Sequence, residues 1–229
     1  MLVKLSQRLI TILEMVPSGS VVADVGSDHG KLMIALYEEG IISHGYAIEN
    51  KPGPYEILKK AIMKAELIDH IVPMFSDGIS ELPSCVNTVV IAGMGGKHII
   101  DILKSHQDKL ANVSTIIVDG HSCLPLIREE ITKIGYNIAD EKIIKDSGVF
   151  YEIIKFIKSD TAMYNESDVE FGPILRQEKS ATFKEKYSER IKEIDSLLCK
   201  DLPVDVVDKL KKEKEKLKGI IWYEYKSNA

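Results

Sequence analysis

The residues best able to do chemistry lie in short loops, each following an apolar, β-branched run. The sharpest segment is Val22-Ala23-Asp24-Val25-Gly26-Ser27-Asp28-His29-Gly30. A strand that ends in a glycine-containing loop before a helix is a seat for a nucleotide cofactor. A dinucleotide needs Gly-x-Gly-x-x-Gly there, so that backbone amides can approach a pyrophosphate. Asp28 and Lys31 stand where the second and third of those glycines belong. A carboxylate aimed at a pyrophosphate repels it. S-adenosylmethionine carries no phosphate, and its sulfonium and ammonium are both cationic. Asp24 and Asp28 therefore suit that ligand and oppose NAD. Asp28 could instead cap the following helix, although capping does not account for Asp24 inside the strand.

Three further loops extend the pattern. Tyr46-Ala47-Ile48-Glu49 ends a strand on an acid that can accept both hydrogen bonds of a ribose diol. In Phe75-Ser76-Asp77-Gly78 the acid can accept from an adenine amine and the glycine permits close backbone approach, although alone the segment reads as a plain turn. Ile91-Ala92-Gly93-Met94-Gly95-Gly96 is dense enough in glycine to bring backbone against a ligand. It lacks the Asn/Asp-Pro-Pro-aromatic tetrapeptide with which amine-methylating enzymes grip an amine. The cofactor set read from these loops is Asp24, Gly26, Ser27, Asp28, His29, Glu49, Asp77, Gly78, Ala92 and Gly93. His121, after the run Thr115–Asp119, can line the mouth of the site. His44, His70, His98 and His106 have no partner at metal-ligand spacing and no Cys-x-x-Cys pair exists, so no metal is expected.

The elements that must position these loops alternate regularly. Strands are expected at Val21–Asp24, Gly45–Ile48, Ile71–Phe75, Thr88–Ile91 and Thr115–Asp119. Helices are expected at Lys31–Glu39, Pro54–Leu67, Lys97–Leu103 and Leu124–Ile134. Continuous apolar strands separated by helices predict right-handed βαβ units and a parallel sheet buried on both faces. Ile138–Ile144 and Val149–Phe156, separated by Lys145-Asp146-Ser147-Gly148, predict a terminal antiparallel hairpin. After about Ser159 the β-branched runs stop. Phe183, Tyr187, Ile191, Ile194 and Leu198, then Val207, Leu210, Leu217 and Ile221, follow a 3.5-residue seam with Lys214 in the gap. Pro203 separates the two stretches, predicting an antiparallel helical (coiled-coil) hairpin that projects from the sheet. The expected units are residues 1–158, an α/β cofactor domain, and 159–229, a helical domain.

Composition sets bounds. The chain has 229 residues, 30 Lys+Arg against 35 Asp+Glu and a net charge of −5, with 45% apolar residues. That is ordinary globular composition and excludes a disordered or low-complexity chain. No apolar run approaches a membrane span, the first residues carry no secretory pattern, and three scattered cysteines suit a reducing cytoplasmic setting. A chain of net charge −5 can hold nucleic acid only through a local basic patch. One candidate is Lys209-Leu-Lys-Lys-Glu-Lys-Glu-Lys-Leu-Lys218, which a solvated helix face with i,i+4 pairs would also explain. The other lies around the cofactor loop, at Lys4, Arg8, Lys31 and Lys51; Arg8 matters most, because a guanidinium holds phosphate in fixed geometry.

Taken in order, Leu5-Ser6-x-Arg8-Leu9, Asp24-Val25-Gly26-Ser27-Asp28-His29, Glu49 with Gly53-Pro54-Tyr55, Ile91-Ala92-Gly93-Met94-Gly95-Gly96, Tyr151-Glu152-Ile153 and Phe171-Gly172-Pro173 resemble one family. It is the bacterial tRNA adenine N1-methyltransferases that modify adenine 22. The resemblance implies a Rossmann-like class I methyltransferase sheet with a C-terminal coiled-coil hairpin, S-adenosylmethionine as cofactor and tRNA as partner. By charge and loop position, Arg8, Lys31, Met94, Gly95 and His121 belong on the substrate side, with Lys209, Lys212 and Lys216 on the hairpin. Asp28 and Asp119 are the carboxylates placed to favour a cationic product. Where the family shows Gln-Pro-Asn, this chain has Asp119-Gly120-His121. That departure leaves open a different RNA target, or a tRNA-binding protein without activity. A monomer is the default expectation.

Overall fold

The computed structural model describes residues 4–159 and 163–222. Seven strands form one sheet: β1 (Val22–Val25), β2 (Gly45–Glu49), β3 (Ile71–Phe75), β4 (Thr88–Met94), β5 (Thr115–Gly120), β6 (Tyr136–Asp146) and β7 (Val149–Lys158). Their spatial order is β3-β2-β1-β4-β5-β7-β6. β3 to β5 run parallel, and β7 inserts antiparallel between β5 and β6. The order reverses at β1 and β4, so the loops at their carboxyl ends diverge and open a crevice. This is the Rossmann-like sheet with an antiparallel end that the strand rhythm predicts.

The connecting helices are α1 (Gln7–Met15), α2 (Lys31–Glu38), α3 (Pro52–Lys64), α4 (Gly96–Ser105) and α5 (Leu124–Lys133). The central strands β1 and β5 bury both of their faces, as does the first half of β4. On one face Ile12, Met33, Leu36, Leu58 and Ile62 of α1, α2 and α3 pack on Val22, Ala47, Val90 and Ile117. On the other, Ile99, Leu103, Ile127 and Ile131 of α4 and α5 pack on Ala23, Val89, Ile91 and Ile116. Burial of that kind stabilises by roughly 1.5–3 kcal/mol for each large side chain.

The terminal hairpin is longer than its apolar runs suggest, because Lys145 and Asp146 remain paired with Phe150 and Val149. The turn shrinks to Ser147 and Gly148, with φ of 52° and 81°. Two consecutive left-handed residues match the twist of a two-residue hairpin. Between the sheet and the last helices lie α6 (Glu166–Phe171) and α7 (Leu175–Glu178), which strand and seam patterns do not reveal.

The final helices are α8 (Ala181–Leu198) and α9 (Val204–Trp222). They pair through the predicted seam: Phe183, Tyr187 and Ile194 are buried with Leu210, Leu217 and Ile221, while Lys214 turns aside to an ion pair with Asp195. The root of this pair is fixed to the sheet. Ile143 of β6, Phe171 and Leu175 complete the same apolar cluster. Beneath them Arg128 of α5 is fully buried, with Nε 2.8 Å from Glu141 Oε1 and Nη2 2.6 Å from Glu152 Oε2. Lys186 of α8 also reaches Glu152. Arg128 further donates to the carbonyls of Val169 and Glu170, so one guanidinium joins α5, β6, β7 and α6.

Candidate active site

The first loop is held open by backbone geometry. Gly26 and Gly30 have φ of 75° and 67°, a region in which L side chains are strained. A Cβ on Gly26 would also strike the Met94 methyl group. The Gly26 and Ser27 amides both donate to the Ile48 carbonyl, at 2.9 and 3.1 Å. The Asp28 amide donates to Glu49 Oε1 at 2.8 Å. The loop after β1 is thereby pinned to the end of β2. Gly30 occupies the cap position of α2 and no side chain caps that helix. Asp28 is therefore not a helix cap: its side chain is 73% exposed and lies beside His29.

Asp24 is a different kind of acid. It is 5% exposed, and its Oδ2 accepts from Ser27 Oγ at 2.6 Å. Burial pushes its pKa up to about 6, outweighing the Ser27 hydrogen bond and the attraction of Arg8, while Glu49 pushes it further up. A buried carboxylate of this sort is completed by a cation. Glu49 is also buried, at the carboxyl end of β2, and Asp77 Oδ1 accepts from Asn50 Nδ2 at 3.1 Å.

These side chains surround a cleft of about 520 Å³. Gly26, Asp28, Glu49, Asp77, Gly78, Ala92 and Gly93, read from the sequence as cofactor residues, line it, together with Met94, read as a substrate-side residue. An adjoining pocket of about 90 Å³ is lined by Arg8, Asp24, Ser27, His29 and Lys31, and shares Gly26, Asp28 and Ala92 with the cleft. Lys51, read from the sequence as part of a basic set around the cofactor loop, also lines the cleft, as do Asn50, Ser76, His98 and Ile102, to which the sequence assigns no cofactor role. Asn50 directly follows Glu49, so adjacency was an available signal. His98 carries no such signal, because only the start of α4 brings it there. The carboxylates fit a cofactor that is cationic at one end and carries a ribose and an adenine. A pyrophosphate would meet Asp28 and Glu49.

The β5 side is built around Arg8. The Arg8 amide donates to Asp146 Oδ2 at 3.3 Å, which ties α1 to the hairpin turn. Its guanidinium sits 5.4 Å from the centre of the Tyr151 ring, with Nη1 3.2 Å from Asp119 Oδ2. That contact is an ion pair. Asp119 is fully buried. Burial raises its pKa, against the pull of Arg8, of His121 and of the Gly93 amide. It lines neither cavity and lies below Arg8, not facing the cleft. His121 is exposed, its amide donating to the Met94 carbonyl at 2.9 Å.

The glycines after β4 differ from one another. Gly93 has φ of 79°, and a Cβ there would lie 3.2 Å from Arg8 Nη1. Gly96 is crowded by the Ser122 carbonyl, whereas Gly95 is exposed, with nothing nearer its Cβ position than Ser122 Oγ at 3.8 Å. Lys209, Lys212 and Lys216 are not part of the cleft; they lie on α9. Lys216 pairs with Glu170, Lys218 with Glu215, and Lys209 lies 3.9 Å from Asp205. Lys211 and Lys212 are exposed.

A family model described as tRNA (adenine(22)-N(1))-methyltransferase matches residues 22–224. The Bacillus subtilis (strain 168) tRNA (adenine(22)-N(1))-methyltransferase is 32% identical over 200 residues, covering 85% of this chain and 84% of that protein. The crystal structure of Streptococcus pneumoniae Sp1610 in complex with S-adenosyl-L-methionine superposes with a TM-score of 0.88 at 30% identity, covering 95% of this chain and 100% of the other. The crystal structure of the B. subtilis m1A22 tRNA methyltransferase does so with a TM-score of 0.84 at 29% identity, covering 96% and 99%.

Proposed function

This chain belongs to the tRNA (adenine(22)-N(1))-methyltransferase family, and from that premise we propose that its cleft binds S-adenosylmethionine and serves methyl transfer to N1 of an adenine in tRNA. The observation that carries the reading is the set of carboxylates Asp24, Asp28, Glu49 and Asp77 in one cleft and its side pocket, at the carboxyl ends of β1, β2 and β3. S-adenosylmethionine supplies a methyl group made electrophilic by its sulfonium. Glu49 is assigned the ribose hydroxyls, Asp77 the adenine amine, and Asp24 and Asp28 the positive charge.

Adenine N1 has an in-plane lone pair and no proton to lose, so the reaction needs no general base. The protein's contribution is then orientation of the two reactants. N1 lies on the pairing edge, so the base must be drawn out of any helix it belongs to. The methylated ring is cationic, and Asp28, exposed in the cleft, favours that charge directly. Asp119 acts through Arg8. Residues 1–158 are assigned the cofactor and the chemistry, and residues 159–229 the positioning of the tRNA body; their extreme ends lie outside the described residues. Three free cysteines, all exposed, support a reducing, cytoplasmic setting.

The test is incubation of pure protein with labelled S-adenosylmethionine and bulk tRNA, followed by nucleoside analysis. Label in 1-methyladenosine is expected. tRNA retained on a filter with no label transferred would instead identify a binding protein without activity.

A further inference from the structure

The β4 loop offers no aromatic residue to hold a flat base. Gly93-Met94-Gly95-Gly96 stands where amine-methylating enzymes present one. An adenine drawn out of its stack needs a replacement surface, and an aromatic ring is the usual one. Among the described residues, the ring placed to serve is Tyr151, which comes from another part of the sheet. Asp119 of β5 pairs with Ile153 of β7. The antiparallel register therefore carries Tyr151 two residues further, beyond the end of β5 and opposite His121. The His121 and Tyr151 rings lie 6.1 Å apart at 61°, and the Arg8 guanidinium packs at 5.4 Å. Tyr151 is partly exposed and His121 exposed, while the loops after β1, β2 and β3 form the cofactor side.

We propose that the Tyr151 ring, set between Arg8 and His121, is the platform on which the target adenine stacks, and that Asp119 is the positioning residue that holds Arg8 in that arrangement. This rests on the methyl-transfer reading above. Charge as well as shape suits the ring to this role. Methylation at N1 leaves a cation on the adenine ring, and the face of an aromatic ring attracts a cation. Tyr151 thus favours the reacting base more as the reaction proceeds. A bare guanidinium nearby would do the opposite. Asp119 is buried and lies 3.2 Å from Arg8 Nη1, so it both offsets that charge and orients the side chain. Gly93 leaves room for it: a Cβ there would lie 3.2 Å from Nη1.

The experiment compares wild type, Tyr151→Leu, Tyr151→Phe and Asp119→Asn in steady-state transfer to tRNA, with calorimetry of S-adenosylmethionine binding on each. For Tyr151→Leu, kcat/KM is expected to fall by about 10- to 100-fold, mostly in kcat. Tyr151→Phe recovers most of that loss. Cofactor affinity stays within about twofold in both, which excludes a folding defect. Asp119→Asn lowers kcat while cofactor affinity holds. Wild-type kcat and KM in Tyr151→Leu would overturn the platform. So would a Phe variant as impaired as the Leu variant, or a loss of cofactor binding that matches the loss of rate. Wild-type protein that transfers no methyl group to adenine overturns the functional reading itself, and the platform with it.

Discussion

Asp24 is where burial, charge and cofactor binding meet, and replacing it separates them. Its carboxyl group is 5% exposed, and burial raises its pKa from 3.8 to about 6. The gap is about 2 pH units, so at about 1.36 kcal/mol per unit the ionised form costs the unliganded protein on the order of 3 kcal/mol. The folded chain binds more protons than the unfolded chain between pH 3.8 and about 6. This contribution to stability is therefore complete below that window and lost as the pH rises through it. A cofactor cation beside the carboxylate favours the ionised form, so binding below pH 6 has to expel a proton. The Kd for S-adenosylmethionine should then rise by up to about tenfold per pH unit below about pH 6. Asp24→Asn removes the titration. At pH 8 it should weaken cofactor binding while raising the melting temperature of the unliganded protein by up to roughly 6–12 °C. Calorimetry at several pH values, in two buffers of different ionisation heat, reads both affinity and proton release. The reasoning fails if wild-type affinity is flat between pH 7.5 and 5, or if Asp24→Asn keeps the wild-type slope. A lower melting temperature for Asp24→Asn at pH 8 would refute the burial argument.

Other outcomes follow from neighbouring features. Glu49→Ala removes both the expected ribose acceptor and the acceptor for the Asp28 amide; its cofactor affinity should drop by about tenfold or more, and unchanged calorimetry would exclude Glu49 from the cofactor site. Gly95→Val should fold normally, since its Cβ position is open, and lose transfer by crowding the substrate; wild-type turnover would contradict that. Gly96→Ala should destabilise, because the Ser122 carbonyl occupies the space, and an unchanged melting temperature would count against it. Arg128→Ala leaves Glu141 and Glu152 buried without their shared guanidinium and should cost about 3–5 kcal/mol in denaturant unfolding. On α9, Lys211→Gln with Lys212→Gln should lower the salt slope of tRNA affinity by about two, and an identical slope would reduce that helix to a structural role.

The sheet was legible because each parallel strand is a continuous apolar run closed by its own loop, and residues 22–30 announce the first crevice by composition alone. Asp28, Glu49 and Asp77 could be assembled because strand order brings successive loops side by side. What was not legible depends on contacts between distant segments. Tyr151 reaches the mouth of the site only through the β5–β7 register, 30 residues after His121. Asp119 looks exposed from its place at a strand end, yet Arg8 from α1 covers it. Capping by Asp28 fits its type and spacing, but Gly30 takes the cap position in a left-handed conformation that composition does not reveal. The lysines of α9 read as one basic stripe, and the partners of Lys214 and Lys216, on α8 and α6, are set by tertiary packing.

The most direct test of the account uses two versions of one tRNA, with adenine or guanine at position 22, incubated with the protein and S-adenosylmethionine. Digestion and mass spectrometry then locate the methyl group. The account predicts stoichiometric 1-methyladenosine at position 22 in the first and no methylation of the second. Methylation of both, or of neither, would contradict it.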